Sequence, residues 1–297
     1  MVSIIIPCYN CEAFISRAIE SVLEQTMSDW ELLLINNNST DNTQKVLDRY
    51  TLKYPAKIRN YCELKPGAPA ARNKGLNLAQ GEWIQFLDAD DKLLPEKLER
   101  QLRIADSLHS DIVVGSYYLH KTINNKETEM LKSPRVANVW ESLITSKLGI
   151  TSANLWRRKV VIAARGWDEE LSSSQEYDLL FRMMKQKAVI SFDLTPSSII
   201  YSQENSISNT VNTRRLEQIL DDRLDLRIEI RNYLKNEGLL TPHITKLWDL
   251  YLYHLLMKRK TIIPKYVSRR LRELGLKVPL KVRVKLNTKY YLKSILG

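Results

Sequence analysis

The stretch WIQFLDADDK, residues 83–92, runs from a largely apolar segment, Trp83 to Leu87, straight into three acids within four positions, Asp88, Asp90 and Asp91. An apolar run that stops at a polar cluster reads as a buried strand delivering charge to its carboxyl end. Two like charges about 4 Å apart repel by roughly 4 kcal/mol at an effective dielectric near 20, so the cluster calls for a cation or another partner that offsets the repulsion.

The same strand-then-helix order recurs on either side of it. VSIIIP is a short apolar run bounded by Pro7, followed by Phe14, Ala18, Val22 and Leu23 near helical spacing; WELLLI precedes a helix over 41–53; IRNYC precedes one over about 68–80; EWIQFL precedes one over about 95–108, opening at Pro95. Apolar strands alternating with amphipathic helices predict an α/β domain with a mostly parallel, Rossmann-like sheet flanked by helices and joined by right-handed crossovers. Ligands of such sheets bind beyond the carboxyl ends of the strands. The polar clusters PCYN, NNNSTD and DADD fall at those ends.

After DIVVGSYYLH the regularity fades into a hairpin expected around INNKETE. Residues 151–201 read as shorter elements, including SSSQEYDLLFRMM, and from about 211 the pattern is nearly all helix. The spacing therefore predicts a domain over 1–210, with halves 1–110 and 111–210, and a basic helical C-terminal region over 211–297. Trp248, Tyr251 and Tyr253 lie at spacings that suit a helix core.

Charge divides the same way. From Lys258 onward there are 13 Lys and Arg against one acid, Glu273, a net of +12, which leaves the rest of the chain at −1 out of the total of +11. A basic tail with Tyr, Leu, Ile and Val between its charges suits an anionic membrane surface or another polyanion; the plainer alternative is a solvated helical face. Nucleic acid is not expected as a partner. No apolar run reaches the roughly 18 to 20 residues of a membrane span, and MVSIIIPCYN lacks the basic start of a signal peptide, so a cytoplasmic protein, peripheral at most to the inner face of the cell membrane, is the expectation. Cys8, Cys11 and Cys62 are odd in number and no second pair completes a zinc site, so free thiols are expected. His109, His120, His243 and His254 show no metal spacing.

Carboxylates at a strand end can bind Mg²⁺ or Mn²⁺, hard cations that bridge one or two carboxylates to phosphate oxygens. A diphosphate leaving group gains negative charge as its bond to carbon breaks, and a metal neutralises it there. The structural alternative is a surface turn in which Asp90 or Asp91 opens the next helix.

Taken in order and at their separations, VSIIIPCYN, LLLINNNSTDNT, GAPAARNKGLNLAQGEWIQFLDADD and SQEYDLLFR resemble the nucleotide-sugar glycosyltransferases of family 2, which have the GT-A fold, over about residues 1–210. The resemblance implies a metal-dependent, inverting hexosyltransferase. It would move a sugar from a nucleoside-diphosphate donor, UDP-hexose or UDP-N-acetylhexosamine foremost, to a hydroxyl of a glycan or lipid-linked oligosaccharide in bacterial surface polysaccharide synthesis. It places Pro7 and Tyr9 beside the nucleobase and Arg72 near the base or diphosphate. Asp88-Ala89-Asp90 matches the D-x-D element, Asp88 approaching ribose or metal and Asp90 the metal, with Asp91 behind them. Trp167 and Asp168 fall near the acceptor, Asp168 either bonding an acceptor hydroxyl or capping a turn. Glu176 matches the catalytic base, with Asp178 as the fallback. Ser173-x-x-Glu176 is also a capping box, a purely structural alternative for Glu176.

Two positions depart from the family. Where a pair of acids usually precedes S-T-D, this chain has Asn36, Asn37 and Asn38, and Asn37, which would meet the base edge, carries a donor as well as an acceptor. Near IIYSQENSIS a histidine that commonly approaches the metal is matched by Gln203, which implies weaker metal binding. These departures leave a second function in view, a catalytically weak or inactive sugar-nucleotide or glycan-binding protein of the same fold.

Overall fold

The computed structural model describes residues 1–123, 126–136, 138–202 and 212–296. The chain forms two compact units: Met1–Ala137 with Lys147–Glu170 and Gln175–Gln203, and Asn138–Ser146 with Leu171–Ser174 and Glu204–Gly297. The boundary expected near residue 210 lies outside the described residues. Two short segments from earlier in the chain, 138–146 and 171–174, belong with the helical unit.

In chain order the first unit begins β1 (Val2–Cys8), α1 (Ile15–Leu23), β2 (Trp30–Asn36), α2 (Thr43–Lys53), β3 (Ile58–Cys62), α3 (Ala68–Leu78) and β4 (Trp83–Phe86). These are the alternating elements expected from the sequence, and their strands pair in parallel, β3-β2-β1-β4. Every residue of β2 and β4 is buried, as is β1 apart from Pro7, which is why they read as largely apolar runs instead of alternating ones. Ile15, Ala18, Ile19 and Val22 turn one face of α1 into the core shared with Ile4, Ile6, Leu32 and Leu34.

The chain continues through β5 (Lys92–Leu93), α4 (Lys97–Ser107), β6 (Ile112–Ile123), β7 (Lys126–Lys132), α5 (Val139–Ile144), β8 (Leu155–Arg157), α6 (Arg158–Ala163), α7 (Gln175–Lys185) and β9 (Ile190–Ser202). Here the sheet becomes mixed. β8 runs antiparallel to β4 and β6, β5 antiparallel to β9, and β7 closes the expected hairpin on β6, a connection short enough to require antiparallel pairing. β6 and β9 are parallel, with register shifts around Ser116. The main path of the sheet is β3-β2-β1-β4-β8-β6-β9-β5, with β7 paired to β6 off that path, a mixed α/β sheet flanked by helices.

Beneath β4 lies a buried polar layer. Lys97 of α4 is fully buried and donates to Gln85 and, at 2.6 Å, to Gln101; burial lowers its pKa to about 7. Gln85 donates to the Ser152 carbonyl at 3.1 Å, linking α4 to the segment before β8.

The second unit holds α5, α8 (Thr213–Asn236), α9 (Pro242–Met257), α10 (Pro264–Leu274) and α11 (Leu280–Leu296). Arg227 of α8, 1% exposed, donates to Ser146 at 2.6 Å, Ser174 at 3.1 Å and the Ile144 carbonyl at 3.3 Å. Its own carbonyl accepts from the Trp248 indole at 2.9 Å, so Trp248 is a core residue with its polar atom satisfied. Asp222 accepts from the backbone of Ser172 and Ser173 and from the Ser172 hydroxyl, fastening 171–174 to α8. Among the described residues no helix is long and apolar enough to cross a membrane.

Gly75 shows how closely α3 approaches the sheet, since a Cβ there would stand 2.4 Å from Ile5 Cγ2. Helix propensity alone favours alanine by about 1 kcal/mol. The contact falls on a stiff β-branched side chain, so overpacking outweighs it, and Gly75→Ala is expected to lower the unfolding free energy by about 1–3 kcal/mol, read as a lower urea midpoint at unchanged slope.

Candidate functional site

The acidic turn sits where β4 ends, at the carboxyl edge of the parallel strands. It is pinned from behind. The Ser152 hydroxyl donates to Asp91 Oδ2 at 2.6 Å and accepts from the Asp88 backbone N–H at 3.1 Å, and the Tyr201 N–H donates to Asp91 Oδ1 at 3.2 Å. Asp91 is 2% exposed. Burial first, then the charges of Asp88 and Asp90, push its carboxyl well above the usual range. Asp91 thus holds the turn together from within the protein and leaves Asp88 and Asp90 to face outward.

Two arginines flank the turn. Arg72 of α3, 6% exposed, donates to Asp88 at 2.6 Å and to Gln175 at 3.4 Å, with its guanidinium 4.5 Å from the centre of the Trp167 ring. It therefore joins the acidic turn to the first residue of α7, beside Glu176. Arg17 of α1 donates to the Asp90 carbonyl at 2.5 Å and stacks on Tyr201, 3.6 Å from the ring centre. Its contact is to the Asp90 backbone; among the described residues no arginine or lysine forms a salt bridge with the Asp90 carboxylate. Burial and the neighbouring Asp88 raise Asp90 to about 6, with Arg17 pulling weakly the other way. A half-desolvated carboxylate left without a cation suits a divalent ion that completes its shell with phosphate oxygens. Among the described residues no group of three or more His, Cys, Asp and Glu could hold a metal, so Asp90 and Asp88 would hold it only together with donor oxygens and water. Gln203 lies outside the described residues.

Glu176 is half-buried in the first turn of α7. Just before the helix Ser174 has φ 58°, a left-handed conformation, and the Ser173 hydroxyl accepts from Arg223 at 3.0 Å. Burial raises the phenol of Tyr117 in β6, and the charges of Glu176 and then Asp91 raise it further. Asp178, the fallback base, is paired with Arg182 at 2.6 Å.

The remaining expected residues take distinct positions. Pro7 is in β1 and Tyr9, just past the strand, is 64% exposed, leaving an aromatic face free. Ala89 is half-buried between the two outer acids. Asn37 is 5% exposed; its amide donates to the carbonyls of Glu63 and Lys65 and its oxygen accepts from the Gly67 N–H at 2.7 Å, so its side chain holds the 63–67 loop. Trp167 is 2% exposed, edge-on to Phe86 at 5.0 Å, and meets the site through Arg72. Asp168 is exposed and accepts from the Glu170 N–H at 2.9 Å, a turn cap. Lys65 pairs with Glu169 at 2.9 Å, and Asn73 bonds Glu169 and both backbone groups of Trp167, tying the two loops together.

Arg17, Tyr117 and Ser152 were not foreseen. Arg17 left a trace, a cation among the apolar positions Ile15, Ala18 and Ile19; Ser152, one of two adjacent hydroxyl residues in a single short turn, left none.

The sequence model of the family described as Glycosyl transferase family 2 matches residues 3–163, more than half of the chain. The putative teichuronic acid biosynthesis glycosyltransferase TuaG of Bacillus subtilis (strain 168) is 43% identical over 103 residues, covering 34% of this chain and 40% of that protein. The Escherichia coli UDP-Glc:alpha-D-GlcNAc-diphosphoundecaprenol beta-1,3-glucosyltransferase WfgD is 40% identical over 126 residues, 42% of this chain and 47% of its own. The chain thus spans less than half the length of either relative. Among solved structures, the mannosyltransferase PcManGT from Pyrobaculum calidifontis, in complex with GDP-Man and Mn²⁺, matches with a TM-score of 0.59 at 16% identity, covering 98% of this chain and 79% of that one, a likeness of fold. With the mixed sheet, the acids at the end of β4 and the family match over 3–163 all in hand, the chain belongs to glycosyl transferase family 2 and has the GT-A fold.

Proposed function

We propose that this protein is an inverting, metal-dependent glycosyltransferase of surface polysaccharide synthesis. Its donor is a UDP-hexose or UDP-N-acetylhexosamine and its acceptor a hydroxyl of a glycan or lipid-linked oligosaccharide. The observation that carries the reading is Arg72, which bonds Asp88 with one nitrogen and Gln175, next to Glu176, with another. Diphosphate-facing acids and a carboxylate able to take a proton are thereby held around one place. The UDP-Glc-dependent glucosyltransferase activity of WfgD and the teichuronic acid role of TuaG support the choice of donor and pathway.

In this reading Tyr9 stacks on the nucleobase beside Pro7, and the 63–67 loop held by Asn37 walls the base pocket. Glu176 takes the proton from the acceptor hydroxyl as its oxygen attacks the anomeric carbon from the face opposite the leaving group. The anomeric C–O bond breaks and its electron pair passes to the diphosphate. A bound Mg²⁺ or Mn²⁺ would supply charge neutralisation at that oxygen. Arg72, buried and pre-oriented by Trp167, adds a positive charge that needs no reorganisation during the step. Asp168 and the turn it caps border the acceptor side.

Glu176→Gln is expected to lower kcat by about 10² or more while donor affinity, measured by calorimetry with Mn²⁺, stays within about twofold; undiminished turnover would remove Glu176 from the mechanism. Asp90 carries a second expectation. Its carboxyl is raised to about 6 in the fold against an ordinary 3.8, so the folded state holds the extra proton between these values and stability falls as pH rises through about 6. In chelator at pH 7.5, Asp90→Asn should therefore unfold at higher denaturant, by about 1–3 kcal/mol, with the gain fading as pH falls from about 6 to about 4, while metal-dependent donor binding is lost. A destabilised Asp90→Asn protein would contradict this account of the turn.

A further inference from the structure

The second unit carries a surface that holds none of the residues assigned above to glycosyl transfer. In α11 one face is spent on folding: Leu286 and Tyr290 pack with Tyr253, Met257, Leu271, Leu276 and Val278. The other face shows Leu280, 73% exposed, and Val284, 56% exposed, one helical turn apart. Lys281 and Lys285 flank this apolar pair on one side and Arg283 on the other, all exposed. The single acid of the region, Glu273, is taken up by Arg270 at 3.1 Å and Arg269 at 3.8 Å. Among the described residues, Lys281, Arg283 and Lys285 form no salt bridge, and neither do the exposed Lys265 and Arg272 of α10.

We propose that this face of α11, with the basic side of α10, docks on an anionic lipid surface. Two apolar side chains at the centre of a helix face ringed by long cations match the boundary between headgroups and acyl chains, where the apolar pair inserts and the lysines and arginines reach the phosphates. A nucleic acid satisfies the cations and offers nothing to Leu280 and Val284. A cavity of about 490 Å³ in the same unit, lined by Met257, Pro264 and Tyr290 with Lys260 among its walls, offers an apolar recess beside a cation, a place for one lipid chain and its phosphate. The surface lies on the helical unit alone, so its test is independent of the donor and of Glu176.

The full chain would be sedimented with vesicles of phosphatidylcholine and with vesicles in which about one third of the lipid is phosphatidylglycerol, at low and high salt. Binding to the anionic vesicles, weakened by salt, is expected, with little binding to the neutral ones. Leu280→Ser with Val284→Ser should lower that partition about tenfold or more, and Lys281→Glu with Lys285→Glu by a similar factor, both at unchanged thermal midpoint, because all four side chains are exposed. The proposal is overturned if anionic vesicles do not bind. It is equally overturned if the Leu280 and Val284 changes leave binding intact while duplex DNA competes for the chain, which would mark a general polyanion surface.

Discussion

The contact on which the site depends is the ion pair between Arg72 and Asp88, 2.6 Å long with the guanidinium 6% exposed. A buried charge is tolerated only when its partners are in place, and losing one partner costs far more than the pair contributes net. Arg72 has three: Asp88, Gln175 and the Trp167 face. Each belongs to a different part of the chain. The pair thus acts as a keystone that makes α3, the end of β4, the 166–170 turn and the start of α7 agree on one geometry.

Behind that contact the polar layer under β4 continues the same logic. Ser152, Gln85 and Lys97 form a line of hydrogen bonds from the acidic turn down to α4. None of these groups reaches solvent, so the orientation of Asp88 and Asp90 is set by the interior. The outward acids stay repulsive and incompletely compensated, which is the state in which a site gains most from a ligand that brings a cation.

The first half of the fold was legible because its strands are buried on both faces and its helices on one, patterns that survive in a single sequence. β5, two residues long, and β8, three, carry no period, and their antiparallel placement depends on partners far along the chain. The acids, Arg72 and Glu176 were legible from their motifs. What those motifs left open was occupancy: that Asn37 spends its amide on a loop and that Trp167 stands under Arg72 follow from burial, which no local spacing encodes.

Asn37 also constrains which sequences this fold can carry. Its NH₂ group reaches two carbonyl oxygens while its own oxygen receives the Gly67 N–H. An aspartate of the same shape keeps the last contact and turns the other two into a carboxylate facing two carbonyls, a loss of two bonds and a gain of repulsion inside a buried pocket. Restoring an acid at position 37 therefore requires rebuilding residues 63–65 as well. The asparagine and the loop have become a matched pair, exchangeable only together.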